Sequence, residues 1–352
     1  MVSGLSRLRL LAMLLTLVLV APPLGGRLPA GPAASSQTSS TTSRLSAVAC
    51  PSPSTCVAVG ASMPTFRGTI LRSTDGGRTW RRQPSSTTNV LLGVACLSPS
   101  TCVAVGGRST IVRTTNGGRT WRSQTFGTLD SLGGVACPSP STCVAVGFGI
   151  TTYRGLILRS TDGGRTWRRQ PSGTPDNLGA VACPSPSLCV ALGWEATNAG
   201  DTGTIERSTD GGRTWRRQPS GAPYTLHGVT CPRPSTCVVV GASLSPRRGT
   251  ILRSTDGGRT WRRQTFGTTI DLDGVACLSP STCVVMGASI STRRGMSLRS
   301  TDGGRTWRSQ TLGTTNTLLN DVACARPSTC VAVGWNGAIV RSTDGGRTWR
   351  SV

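Results

Sequence analysis

The sequence predicts an all-β fold, a seven-bladed β-propeller of four-stranded antiparallel blades, and three observations predict it. First, the phrase Ser-Thr-Asp-Gly-Gly-Arg-Thr-Trp recurs seven times, its Trp at 80, 121, 167, 215, 261, 307 and 349. The acidic position reads Asp75, Asn116, Asp162, Asp210, Asp256, Asp302 and Asp344, so the copies lie 41 to 48 residues apart. Second, all 14 cysteines fall into Cys-x5-Cys pairs: Cys50/Cys56, Cys96/Cys102, Cys137/Cys143, Cys183/Cys189, Cys231/Cys237, Cys277/Cys283 and Cys324/Cys330. Third, short β-branched runs bounded by Gly, Pro and Ser separate these motifs, with no helical periodicity long enough to compete. A repeat of this length, built from four strands, is one blade; stacking neighbours in a ring buries the faces that a lone blade leaves exposed.

Taken in order, the chain opens with Arg7 and Arg9, an apolar run from Leu10 to Ala21, and small residues through Ala34. Such a run is too short to span a bilayer comfortably and reads as a signal peptide over 1–34, cleaved after Ala30 or Ala34. The competing reading is an uncleaved anchor. The first cysteine is Cys50, which argues against a lipid-modified N-terminus. Residues 35–44 are Ser/Thr-rich and read as a flexible linker, with the propeller over 45–352. The expectation is therefore a secreted, monomeric chain with no membrane span after cleavage.

The repeat around Cys137 shows one blade. Gly134 to Cys137 is a first strand, Pro138 to Thr142 a turn, and Cys143 to Gly147 a second strand. Leu156 to Arg159 is a third strand, and Thr166 to Gln170 a fourth. The Asp carboxylate closes the intervening turn by accepting N–H groups two or three residues on, and Gly-Gly supplies positive φ. Asn116 keeps the acceptor oxygen without the charge, so the second blade still turns. The Trp buries its indole between blades. Even count, strict pairing and an export signal read as seven disulfides within hairpins. Metal binding is the weaker alternative, since each unit offers two thiols at a non-finger spacing and the chain has one histidine, His227. No cofactor is implied.

The phrase Ser-x-Asp-x-Gly-x-x-Trp resembles the Asp box, or BNR repeat, of sialidases, sortilin-type receptors, some endoglucanases and photosystem II assembly factors, over residues 45 to 352. The resemblance implies that the box is a structural turn between third and fourth strands, on the face away from the ligand site.

Propeller geometry puts the Cys hairpins and Asp boxes on one face and the second-to-third loops on the other. Variable loops on a fixed scaffold carry function. They hold Arg67, Arg154, Arg247, Arg248, Arg293 and Arg294, with Phe66, Phe148, Tyr153 and Trp194 interleaved and Trp335 equivalent in the seventh repeat. Guanidinium groups beside aromatics suit carboxylate, sulfate or phosphate. The plainer reading is solubilising arginine: all 38 basic residues are Arg, and the net charge is +24. That charge draws anionic polymers, though export makes nucleic acid an unsuitable physiological partner. Arg81, Arg82 and their equivalents on the outer strands keep exposed edges from pairing.

Catalysis has less support. The resemblance to sialidases would require an arginine triad, a tyrosine–glutamate pair and an acidic donor, but the chain has only Tyr153 and Tyr224, and Glu195 and Glu206. A two-carboxylate glycosidase could draw on Asp130, Asp176, Glu195, Asp201, Glu206, Asp271, Asp273 or Asp321. The expected function is thus an exported, non-catalytic scaffold for an anionic extracellular polymer or a protein partner. A photosystem II assembly factor-like propeller and a glycoside hydrolase are the alternatives.

Overall fold

The computed structural model describes residues 43–124, 128–172, 176–197, 200–220, 225–244, 247–266, 270–289, 292, 294–310, 312, 318–325 and 328–352. Residues 1–42, which hold the expected signal segment and most of the expected linker, lie outside them, as do Arg293 and Tyr224. The described residues form seven four-stranded antiparallel sheets, each from contiguous sequence with its strands in chain order. In blade 1 these are β1 (Arg44–Ala49), β2 (Cys56–Ala61), β3 (Gly68–Ser73) and β4 (Arg81–Gln83). Arg44, assigned above to the linker, instead begins β1. Six further inner strands complete the ring: Leu91–Cys96, Ser131–Ala136, Asn177–Ala182, Thr225–Arg233, Ile270–Cys277 and Leu319–Ala325. Among the described residues the one helical element is the single 3-10 turn Trp335–Gly337.

The core consists of seven apolar clusters, each shared by two adjacent blades. Val57, Val59 and Ile70 of blade 1 join Leu91, Ala104 and Val112 of blade 2, and Trp121 caps them. The last cluster joins Val331, Val333 and Ile339 of blade 7 to Leu45, Ala58 and Leu71 of blade 1, so the ring closes by packing and no strand is exchanged. Because each sheet is buried on both faces, its second strand is a continuous apolar run; β2 is buried along its whole length. Every inner strand carries a bulge, with one extra residue between the pairs of its ladder, as between Leu45 and Ala47. Bulges increase twist, which the tight inner end of a blade requires.

All seven disulfides form within hairpins, joining the end of a first strand to the start of the second: Cys50–Cys56, Cys96–Cys102, Cys137–Cys143, Cys183–Cys189, Cys231–Cys237, Cys277–Cys283 and Cys324–Cys330. The pairing agrees with the sequence. The second member of each pair is also fully buried: Cys56, Cys102, Cys143, Cys189, Cys237, Cys283 and Cys330. Each belongs to one of the seven clusters between blades. The reason is that this cysteine opens the second strand, which neighbouring blades cover on both sides, so its sulfur enters the wedge as a small apolar group. The first members are half-buried at the strand ends. All seven second members are therefore core residues as well as bridge partners. The Pro-Ser-Pro-Ser spacer is a turn closed by its first Ser: the Thr55 N–H donates to Ser52 Oγ at 3.0 Å.

Two stretches read as loops are paired. In blade 4, Cys189–Thr197 and Gly200–Ser208 continue the ladder through Trp194↔Gly203 to Thr197↔Gly200. In blade 5, the pairing runs on to Leu244↔Arg247. Thr and aromatic residues favour the pleated surface, and nothing before position 198 in blade 4 breaks the strand.

Candidate functional site

The Asp box is a self-contained turn. Asp162 Oδ1 accepts from Ser160 Oγ at 2.8 Å and from the N–H groups of Arg165 and Thr166, while Oδ2 accepts from Thr166 Oγ1 at 2.6 Å. The donors lie three and four residues on, one further than the sequence suggested. Burial alone would raise this carboxyl, but those donors more than offset it and hold Asp162 at about 2. In blade 2, Asn116 Oδ1 takes over acceptance, and its amide donates to Thr120 Oγ1 at 2.8 Å. Both glycines have positive φ, 70° and 81° in blade 3. A Cβ on the second would also stand 2.7 Å from Val103 of the preceding blade.

Each box is tied to its neighbours. Gly163 N–H donates to Ser141 of its own Cys hairpin, which puts hairpins and boxes on one face. Arg113, at the end of the third strand of the preceding blade, donates through Nε to the Gly163 carbonyl at 2.7 Å. The same bond recurs around the ring from Arg72, Arg159, Arg207, Arg253, Arg299 and Arg341. These seven arginines were not singled out from sequence, although the invariable Arg before Ser/Thr-Thr-Asp/Asn was there to see.

On the opposite face, Phe66 and Tyr153 are about half exposed. Both sit at positive φ, 54° and 52°, a conformation that costs a bulky residue roughly 1–2 kcal/mol. The two loops are built alike. Phe66 N–H donates to Ser62 and Ser62 N–H to Arg67; Tyr153 N–H donates to Gly149 and Gly149 N–H to Arg154. An exposed arginine follows each aromatic: Arg67 and Arg154. Ile150 and Leu129 are the other large apolar side chains exposed among the described residues, so all four lie on blades 1 to 3 or the link between blades 2 and 3. Beside Phe66, an open cleft of about 600 Å³ is lined by Arg67, Arg82 and residues 85–88.

Other candidates are engaged in packing. Trp194 meets Phe148 edge-on at 6.1 Å, across the junction of blades 3 and 4. Trp335 lies 4.4 Å beneath the Arg44 guanidinium. Arg248 and Arg294 are exposed; Arg247 begins the third strand of blade 5.

The carboxyls outside the boxes gather elsewhere. Arg217 bridges Glu195 Oε2 at 3.0 Å and Asp176 Oδ2 at 3.6 Å, and Thr204 Oγ1 donates to Asp176. Glu206 lies beside them with no exposed surface, and neither of its oxygens has a hydrogen-bond partner. Burial first, and Asp176 second, push Glu206 up to about 7 against the pull of Arg217. His227 joins two inner strands: Nδ1 lies 3.0 Å from the Leu272 carbonyl and 3.3 Å from Asp273 Oδ1. Burial would lower its pKa, yet Asp273 and that carbonyl raise it. Asp321 accepts the N–H of Val48 at 2.9 Å, and Asn320 donates to the Leu45 carbonyl at 2.6 Å. Burial nonetheless lifts Asp321 to about 7.

Seven box turns on seven contiguous blades give the chain the architecture of the Asp-box, or BNR-repeat, β-propellers. Within that class, residues 78–243 match the family model described as photosynthesis system II assembly factor YCF48. Among solved structures, YCF48 bound to a D1 peptide is 17% identical with a TM-score of 0.64, covering 87% of this chain and 95% of that one. YCF48 from Cyanidioschyzon merolae is 15% identical with a TM-score of 0.62, covering 87% and 97%. The GH74 xyloglucanase from Xanthomonas campestris is 15% identical with a TM-score of 0.61; the match covers 89% of this chain but 55% of the enzyme. At these identities the likeness establishes the fold. No curated protein sequence matches the chain.

Proposed function

We propose that this chain is an exported scaffold that holds an extended segment of a protein partner across the loop face of blades 1 to 3. One observation carries the reading: Phe66, Leu129, Ile150 and Tyr153 stand exposed on that sector, two of them in strained conformations and followed directly by arginine. Strained exposed aromatics cluster where a protein binds something, and an aromatic beside a guanidinium offers apolar area and a carboxylate anchor together. YCF48 captured with a D1 peptide supports a segment-binding role for this architecture. The narrower reading is an assembly factor for a membrane protein. A glycoside hydrolase has less support, because the Asp176–Glu206 pair is buried and cannot meet a sugar.

The test is a displayed library of short random peptides. Enriched sequences should combine acidic and apolar residues, and Phe66→Ala with Tyr153→Ala should weaken them at least about tenfold, ~1.4 kcal/mol, without lowering the melting temperature. Binding that survives both substitutions would refute the site. Competition by a D1 peptide would favour the narrower form, and its failure would count against that form.

A further inference from the structure

The one histidine of the chain stands where the inner strands depart from their repeat. The extra residue of each bulge is Leu92, Gly133 or Gly179 in blades 2 to 4, but His227 in blade 5 and Asp273 in blade 6. The side chains of His227 and Asp273 are 31% and 35% exposed, so a small solute can reach both. His227 Nδ1 has two acceptors beside it, the Leu272 carbonyl at 3.0 Å and Asp273 Oδ1 at 3.3 Å. They place the proton of the neutral ring on Nδ1 and leave the Nε2 lone pair free. Nε2 lies 3.1 Å from Thr225 Oγ1, two residues back on the same strand. Hydroxyl, imidazole and carboxylate thus follow the order of a nucleophile, its base and the group that orients the base. Thr225 Oγ1 is also 3.0 Å from the Ala242 carbonyl. Its one hydrogen turns to Nε2 when the ring is neutral and to Ala242 when the ring is protonated. Arg44, on which Asp273 also acts, is stacked on Trp335 and has its Nε buried without an acceptor.

We propose that Thr225 and His227, with Asp273 as the positioning residue, form a catalytic site for hydrolysis of a small carboxylic ester at the inner edge of blades 5 and 6. Thr225 Oγ bonds to the ester carbonyl carbon as its proton passes to His227 Nε2. The bond from that carbon to the alcohol oxygen then breaks, and the departing oxygen takes the proton from Nε2. Acyl-Thr225 and a free alcohol result. Water adds to the acyl carbon and gives a proton to Nε2; the bond to Thr225 Oγ breaks, Oγ recovers the proton, and the carboxylic acid leaves. The unpartnered guanidinium of Arg44 supplies positive charge for the oxyanion that forms in each half. An ester is the fitting class, because an alcohol departs with less help from an acid than an amine does. Half-burial of Thr225 restricts the acyl group to a short one. Phe66 and Tyr153 have no part in these steps, so the proposal stands or falls separately from segment binding.

The probe is p-nitrophenyl acetate with the full chain, which has no lysine to take up acetyl groups in the background. Wild type should release a burst of p-nitrophenolate, and peptide mapping should place the acetyl group on Thr225. Thr225→Ser should keep the burst and Thr225→Val should lose it at an equal melting temperature, with the exposed Thr151→Val as the unchanged control. His227→Gln should slow acylation at least about 100-fold. The acylation rate should rise with pH, because only the neutral ring accepts the proton. Asp273 and Asp271, on the inner strand of blade 6, are the charged groups that raise His227, so the midpoint of that rise should lie above the ordinary histidine range. Asp273→Asn should move the midpoint to lower pH and reduce the plateau, a change that loss of a structural tie alone does not produce. An acetyl group on any other residue would overturn the proposal, as would a burst that survives Thr225→Val. Variants that lower the melting temperature but leave the rate and its pH profile unchanged would reduce the three residues to a structural tie between blades 5 and 6.

Discussion

Replacing Glu206 by Leu should stabilise this protein, and most at neutral to alkaline pH. Glu206 occupies a position that is Leu71, Val112, Leu158, Leu252, Leu298 and Val340 in the other six repeats, inside the wedge between two blades. It has no exposed surface, and neither oxygen has a hydrogen-bond partner. Burial and Asp176 lift it from an ordinary 4.5 to about 7. Keeping the carboxylate ionised in the fold therefore costs about 3 kcal/mol above pH ~7, and nothing below pH ~4.5. The folded chain holds a proton through that window which the unfolded chain has released, so stability falls as pH rises from about 4.5 to about 7. Leu removes the cost, and Arg217 still has Asp176 and Glu195 as partners.

For a propeller of ~310 residues, an unfolding entropy near 2.1 cal/mol/K per residue converts ~3 kcal/mol into about 5 °C. Thermal unfolding of wild type and variant, followed by circular dichroism at pH 4.5 and pH 8, reads this as a difference of differences. Asp321 is also raised to about 7 and His227 is raised, so wild type and variant share those slopes and the comparison cancels them. An equal gain at both pH values would show that packing, not charge, is the cause. A loss at pH 8 would show that the carboxylate is stabilised by something other than these neighbours.

Asp162→Ala removes four hydrogen bonds to one carboxylate and should cost about 1–3 kcal/mol while leaving ligand affinity intact, measured by thermal unfolding alongside peptide binding. Because Asp162 is held at about 2, its stabilisation is complete above pH ~4 and is lost as pH falls towards ~2; the variant should lose part of that acid limb. Non-reducing intact mass of the purified chain should show seven disulfides and no free thiol, each closing a short loop for roughly 2 kcal/mol. Fourteen thiols, or peptide maps that join blades, would refute it.

Fold and disulfide pairing were legible because each repeat states its turn chemistry in full: a capping acid, two glycines and a cysteine pair. The burial of one cysteine in each pair was not, since it depends on the neighbouring blade that covers it. Strand limits were also less legible. The loops of blades 4 and 5 carry no breaker where pairing could have ended, and whether a ladder continues depends on the partner strand. The site was half legible. Arg67, Arg154, Tyr153 and Phe66 stood out as loop residues, but their likeness lies in left-handed backbone geometry that Phe and Tyr do not announce. Trp194 and Trp335 looked equally available, and neighbouring blades occupy them. Glu206 was named as one acid among eight; alignment of the repeats against one another shows it as the one polar residue in an apolar column.

Closure of the ring shows why the last junction differs from the other six. Blade 7 meets blade 1 through the same wedge of apolar side chains, the same Arg341-to-Gly76 bond and the same close approach of Gly77 to Val331. Contacts there join residues 273 and 275 apart in sequence, against 45 for the bond from Arg72. Chain-closure entropy rises only with the logarithm of length, so that difference costs about 1.6 kcal/mol. Extra ties are found at this junction: Asn320 to Leu45, Asp321 to Val48, Gly337 N–H to the Ser43 carbonyl, and Arg44 stacked on Trp335. At ~1 kcal/mol for a net hydrogen bond, two of them offset the longer closure. A propeller without an exchanged strand can therefore close on packing and a few local ties, and Arg44, the residue that looked like the end of a linker, supplies one of them.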